Sequence, residues 1–224
     1  MSDTTREPQY QFLIDIREQK GLSRLGVMAN QVWHDDPRRL AFTLARYKFV
    51  AKMMSGRTHV IEIGCADAFA SRIVLQEVER LTVVDFDPVF IQDVESRIDP
   101  DWPLEAHVHD MVAAPFGGQF DGAYALDVLE HIQPKDEDTF LANITSSLTE
   151  SAVGVFGMPS LESQTYASPG SKMGHVNCKT GGDFKTTLAR HFKNVFIFSM
   201  NDEVVHTGFY PMAHYLLALC VSPI

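Results

Sequence analysis

Cysteine is scarce in this sequence. The 224 residues hold three, Cys65, Cys178 and Cys220. An odd, widely spaced set cannot pair completely and shows no zinc-ligand spacing, so a reducing, cytoplasmic setting is expected. Long apolar runs are also missing, and none approaches the roughly 18 residues of a membrane span. The opening Met-Ser-Asp-Thr-Thr-Arg-Glu-Pro lacks the basic-then-apolar layout of a secretion signal, so no membrane partner is expected. Cations are outnumbered: 19 Lys and Arg face 29 Asp and Glu, for a formal net charge of −10. No basic block exceeds short pieces such as Arg38-Arg39. An enzyme of RNA or DNA needs a cationic surface to neutralise phosphates, so a small-molecule substrate is expected and a nucleic acid is not. Internal repeats and low-complexity tracts are absent.

What is present is ordinary globular composition, 45% hydrophobic and 21% charged, in a length that suits one globular unit. Residues 1–55 read as a helical N-terminal cap. Gln9–Gln19 has amphipathic spacing with Gly21 as its stop, and Asp36-Pro37 opens a strong helix running to about Met54. Over 56–224 strands and helices alternate. Strands are expected at His59–Ile63, Leu81–Val84, Ala106–His109, Phe120–Leu126 and Ala152–Phe156. Helices are expected at Ala70–Val78, Val89–Ser96 and Asp136–Leu148. From Pro159 to Gly182 the period breaks, as in a functional lid with at most a short helix. A helix at Phe184–His191 and two strands, Val195–Met200 and Ala213–Val221, follow, the strands pairing antiparallel across Asn201–Met212. The fold class is therefore α/β: a doubly wound, mostly parallel seven-stranded sheet with an antiparallel last strand, and ligands at the strands' carboxyl ends.

The turn after the first strand reads Glu62-Ile63-Gly64-Cys65-Ala66-Asp67-Ala68-Phe69, with small residues at 64, 66 and 68 where backbone must pass close to a ligand. Asp85 ends the second strand 21 positions beyond Gly64, where a carboxylate can accept from a ribose diol; Asp87, before Pro88, reads as a helix cap. A nicotinamide dinucleotide fits poorly. Its fingerprint wants a small residue where Phe69 stands, and Asp67 would set a negative charge beside the pyrophosphate. A ligand with a ribose and no phosphate removes the conflict, and S-adenosylmethionine, cationic at its ammonium and sulfonium, is such a ligand. Asp110, after the third strand, is placed to accept from an adenine amino group.

With Asp127-Val128-Leu129-Glu130-His131 after the fourth strand, these pieces resemble the class I S-adenosylmethionine-dependent methyltransferase superfamily, in its small-molecule branch, over about residues 45–160. The resemblance implies a cofactor site of Glu62, Gly64, Cys65, Ala66, Asp67, Asp85, Phe86, Asp110, Met111, Asp127 and Val128. Within it, Gly64 and Cys65 lie under the methionyl end, Asp85 on the ribose, Asp110 and Met111 at the adenine, and Asp127 near the amino group or the point of transfer. Ala66 and Ala68 stand where the family often has glycine, which questions any positive φ there. The resemblance also offers Arg46, Tyr47 and Lys48 for the cofactor carboxylate.

A sulfonium is already activated, so transfer needs mainly a positioned acceptor and, for an oxygen acceptor, a base. His175 in the lid and His206 in the last hairpin are the catalytic candidates. Some family members carry an acidic-x-x-Glu-His run that holds a divalent metal; Asp127, Glu130 and His131 match it, with His175 or His206 as a fourth ligand, though in most such members the histidine packs and no metal binds. Trp33 and Gln31 either fold over the cofactor mouth or anchor the cap, and Met158-Pro159-Ser160 with Tyr166 fall where the acceptor pocket would be. Residues 174–220 faintly resemble bacterial enzymes of surface-glycan biosynthesis, making a sugar or glycan precursor one candidate acceptor. A protein or nucleic-acid methyltransferase and a non-catalytic cofactor-binding module are the competing readings.

Overall fold

A computed structural model describes residues 4–224; residues 1–3 of the expected cap lie outside the described residues. The chain enters through α1 (Gln11–Lys20), which buries no residue, and Gly21 ends it at a φ of 76°. Next come α2 (Val27–Asp35), which buries Ala29 and Val32, and α3 (Arg38–Met54), which buries Tyr47, Val50, Ala51 and Met54. The sheet strands follow as β1 (His59–Ile63), β2 (Arg80–Asp85), β3 (Glu105–Val108), β4 (Phe120–Leu126) and β5 (Leu148–Pro159). Between them run α4 (Ser71–Leu75), α5 (Pro88–Glu95) and α6 (Glu137–Ser146). The chain closes with α7 (Pro169–Gly174), α8 (Gly181–Leu188), β6 (Phe192–Asn201), β7 (Val204–His206) and β8 (Tyr215–Pro223).

Eight strands form one sheet in the order β3-β2-β1-β4-β5-β8-β6-β7. Pairs among β1 to β5 are parallel, and β8 inserts antiparallel between β5 and β6. The expected sheet had seven strands; the eighth is β7, three residues within the expected connection that fold back on β6. Three residues carry too little alternation to show as a strand beforehand.

The parity of each strand decides which layer its residues join. Ile61, Ile63, Ala123 and Ala125 face a core shared with α6 and α8. Val60, Tyr124 and Leu126 face the opposite core, shared with α3, α4 and α5. Covering both faces accounts for the nearly unbroken apolar runs of β1, β2 and β4, which hold the strands' carboxyl ends as a fixed rim.

The segment after β5 is more ordered than its composition suggested. It forms a 3-10 turn at Glu162–Tyr166 and then α7, whose cap Ser168 accepts from the Ser171 N–H. Its far end is fastened to α6: Asn177 Nδ2 and Lys179 Nζ each reach Glu137 Oε2 at 2.7 Å, and Glu137 is buried.

Candidate functional site

The carboxyl ends of β1, β2 and β4 meet at Gly64, Asp85 and Asp127. Gly64 donates its N–H to Val84 O at 2.8 Å and has a φ of 70°. A Cβ there would stand 2.4 Å from Val128 Cγ2, so both conformation and the approach of the β4 exit require glycine. Ala66 and Ala68 follow at φ of 46° and 47°, so the angles that glycine usually supplies are adopted here by alanine. Each left-handed alanine costs about 1–2 kcal/mol, strain of the kind that gathers at ligand-binding turns.

Asp85 ties the rim together. Its two carboxylate oxygens accept from the N–H groups of Ala66 and Asp87, both at 2.9 Å, and the residue is 6% exposed. An ionised carboxylate has lone pairs beyond those two. Phe86, next in sequence, turns outward and is 73% exposed, while Asp110 is exposed and caps its own turn by accepting from the Val112 N–H. Asp127 has a φ of 56°, and its Oδ2 accepts from Arg46 Nη1 at 2.8 Å. The Arg46 guanidinium in turn lies 3.7 Å from the centre of the Tyr215 ring.

Several expected site residues point elsewhere. Glu62 faces the α3–α4 layer, where Tyr47, Ser71 and Tyr124 (2.7 Å) all donate to its carboxylate, and it is sealed from the rim. Burial pushes its carboxyl up to about 7 against those hydrogen bonds. Tyr47 is thus committed to Glu62, and Lys48 is exposed on the outer face of α3. The Met111 side chain packs into the α6–α8 core, and the Cys65 thiol is buried with its pKa pushed far up by desolvation, an inert group. Asp67 serves the cap helix: its Oδ2 accepts from the Ala29 N–H at 2.6 Å, at the start of α2. Trp33 is 55% exposed and anchors nothing; Ala29 and Val32 do the anchoring.

The two catalytic candidates part company. His206 stands on β7, four strands from β4, with its ring held by the Gly208 N–H and Asn201. His175 stands beside the 3-10 turn Leu129–His131 that follows β4, because the N–H groups of Val176 and Asn177 both donate to Glu130 O. Its Nδ1 pairs with Gln164 Oε1 at 2.8 Å, and burial followed by the neighbouring His131 lowers its pKa. Ligand atoms of Glu130, His131 and His175 lie within 4.8 Å of one another; neither Asp127 nor His206 joins this group. Glu130 is fully buried, and burial followed by the Asp127 charge raises its carboxyl well above the usual range.

Beside them opens a cleft of about 260 Å³, lined among others by Arg46, Gln164, Tyr166, His175, His214 and Tyr215. His214 is a polar wall that the sequence reading missed, since nothing in its surroundings marked it. A larger cavity of about 860 Å³ lies between residues 16–24 and 94–104 and meets the rim only at Asp67 and Ala68.

Residues 60–151 match a family described as a methyltransferase domain. No curated protein matches the chain. Among solved structures, the chain is similar to the N-methyltransferase NodS from Bradyrhizobium japonicum WM9 in complex with S-adenosyl-L-homocysteine. The two are 20% identical, with 85% of this chain and 90% of that one covered and a TM-score of 0.61. The DhpI-SAM-HEP complex is similar at 14% identity, 97% and 99% coverage and a TM-score of 0.62. The plantazolicin methyltransferase BpumL in complex with SAH follows at 12% identity, 86% and 93% coverage and a TM-score of 0.63.

Proposed function

We propose that this chain is an S-adenosylmethionine-dependent methyltransferase that moves the methyl group to an oxygen or nitrogen of a small molecule. The observation that carries this reading is the cleft lined by Arg46 and His175. Its volume of about 260 Å³ suits a metabolite and is small against a polynucleotide strand or a folded protein segment. The net charge of −10 likewise disfavours a polyphosphate acceptor. Three free cysteines, two of them buried, suit a reducing compartment such as the cytoplasm.

The cofactor lies over Gly64–Ala68 in this reading, with its ribose on Asp85, its adenine between Phe86 and Asp110, and its methionyl end toward Asp127. His175 is the histidine left to manage the acceptor atom. Its Nδ1 carries the proton that bonds Gln164 Oε1, which leaves Nε2 with a free lone pair. Ser163, Ser171 and the Tyr166 hydroxyl add donors and acceptors to the same cleft, a lining suited to a hydroxyl-rich acceptor such as a sugar of a surface-glycan precursor.

Calorimetry with S-adenosylhomocysteine and with NAD, followed by transfer of labelled methyl from S-adenosylmethionine into fractionated metabolites, tests the proposal. Binding of the sulfur cofactor product and label in a low-mass fraction are expected. Label that enters only protein or RNA would sink the small-molecule reading.

A further inference from the structure

We infer that the acceptor is amphipathic: a polar head enters the cleft, and an attached hydrocarbon chain lies on an apolar rim of Leu161, Tyr166, Met173, Phe209 and Met212. The inference rests on the small-molecule reading and names the class of molecule. All five side chains are large and apolar, yet each residue is between 48% and 89% exposed. Exposed apolar residues scattered singly are ordinary, but a gathering of them around one polar opening marks a binding face.

The fold gathers them, because all five belong to the three segments that build the cleft. Leu161 and Tyr166 stand at the two ends of the turn that gives Ser163 and Gln164 to the lining. Met173 lies on α7 between Ser171 and His175, both lining residues. Phe209 and Met212 belong to the turn that leads into His214 and Tyr215. Hydrogen bonds lock the first and third segments together: the Ser160 N–H donates to His214 O at 3.1 Å, and the Ser160 hydroxyl donates to Ala213 O at 2.6 Å. The Leu161 N–H donates to Lys179 O at 2.9 Å, and Tyr210 packs over Gly181, where an added Cβ would stand 2.5 Å from its ring. The contacts that shape the cleft therefore also hold the rim.

Three observations select the occupant. At about 260 Å³ the cleft falls below the roughly 300–1,000 Å³ of ordinary small-molecule pockets, and Arg46, Gln164, His175 and His214 give it polar walls. It holds a head group, and the rest of the acceptor must leave across the rim. A second copy or a permanent protein partner on the rim would instead cover the opening through which the acceptor arrives. An anionic membrane is disfavoured by the net charge of −10, and two cations of the lid are engaged, Lys179 with Glu137 and Lys172 with Thr165 O. A hydrocarbon chain needs no countercharge. It needs adaptable apolar surface, which the two methionines supply. Its burial binds ground state and transition state alike, so the chain lowers KM while the head beside His175 carries the chemistry.

Calorimetry of the full chain with hexyl, octyl and decyl β-glucoside, each below its micelle concentration and with S-adenosylhomocysteine present, tests the rim. One glucoside per chain is expected. Its affinity should rise at least fourfold for each added pair of methylenes, since complete burial gives about fourfold for one. The side chains replaced in Met173→Ser/Phe209→Ser/Met212→Ser are all exposed, so this variant is expected to bind S-adenosylhomocysteine as before. Its gain per pair of methylenes should fall below twofold. Equal affinity for the three glucosides, or a dependence unchanged in the variant, would overturn the inference. So would wild-type dimers that the variant disperses, or binding to phosphatidylcholine vesicles without binding of the free glucosides. Labelled methyl transferred into an extract, then partitioned between butanol and water, separates the two proposals. Low-mass label in the butanol phase is expected. Low-mass label confined to water overturns the amphipathic acceptor and leaves the small-molecule reading standing, whereas label only in protein or RNA strikes that reading itself.

Discussion

Arg46 Nη1 donates to Asp127 Oδ2 at 2.8 Å while its guanidinium carbon lies 3.7 Å from the centre of the Tyr215 ring. One side chain thereby joins α3, the exit of β4 and the start of β8. Asp127 sits at a φ of 56°, a left-handed conformation that aspartate adopts more readily than most non-glycine residues. The pair therefore holds the residue proposed to face the cofactor's methionyl end. Asp127→Asn keeps the shape and removes the charge, and is expected to weaken S-adenosylhomocysteine binding about tenfold, close to 1.4 kcal/mol. Arg46→Lys retains the charge but loses the planar fork and the stack, so a similar loss is expected. Calorimetry on both variants checks this, and unchanged affinity in Asp127→Asn would remove Asp127 from the cofactor site.

The β1 turn separates two reasons for a glycine. Gly64→Ala must place a Cβ 2.4 Å from Val128 Cγ2 and hold alanine at a φ of 70°. Cofactor binding should be lost and stability should fall by about 2–4 kcal/mol, from overpacking together with backbone strain. Adding Val128→Ala relieves the clash but not the strain, so roughly half the stability should return. Ala66→Gly in the same turn should raise stability by about 0.5–1 kcal/mol, since strain relief there exceeds the added chain entropy. Urea midpoints measure all three; a destabilised Ala66→Gly would show that the left-handed alanine is not strained.

Much of this arrangement was legible beforehand, and the reasons are physical. Gly64, Asp85 and Asp127 end strands whose apolar runs announce them, so topology alone brings them to one rim. His175 could be placed at the lid because the period breaks after Pro159. What escaped was direction. Glu62 lies two residues from Gly64, yet its side chain points into the α3–α4 layer, and nothing local reveals that Tyr47 and Tyr124 await it. Asp67 had a sound electrostatic argument for a cationic ligand. Its carboxylate instead accepts from Ala29, 38 positions away, a partner that only the folded cap supplies. The place of His206 escaped for a related reason: the segment that carries it forms an edge strand too short to show any period.

Glu62 supplies a pH dependence whose sign can be worked out. Burial raises its carboxyl from 4.5 to about 7 in the folded chain, while the unfolded chain keeps the ordinary value. Between those two pH values the folded state binds a proton that the unfolded state has released, so unfolding free energy falls as pH rises through the window. Below about 4.5 the contribution is complete, and above about 7 it is gone, because the native state must then hold a buried charge. The gap corresponds to roughly 3 kcal/mol. Glu62→Gln stays neutral and retains acceptor capacity for one or more of the three hydroxyls. Its stability relative to wild type should therefore improve by about that amount between pH 4.5 and pH 8. Chemical denaturation of both proteins across this range tests it, and a difference that stays constant with pH would mean that Glu62 is ionised throughout, held so by Ser71, Tyr47 and Tyr124.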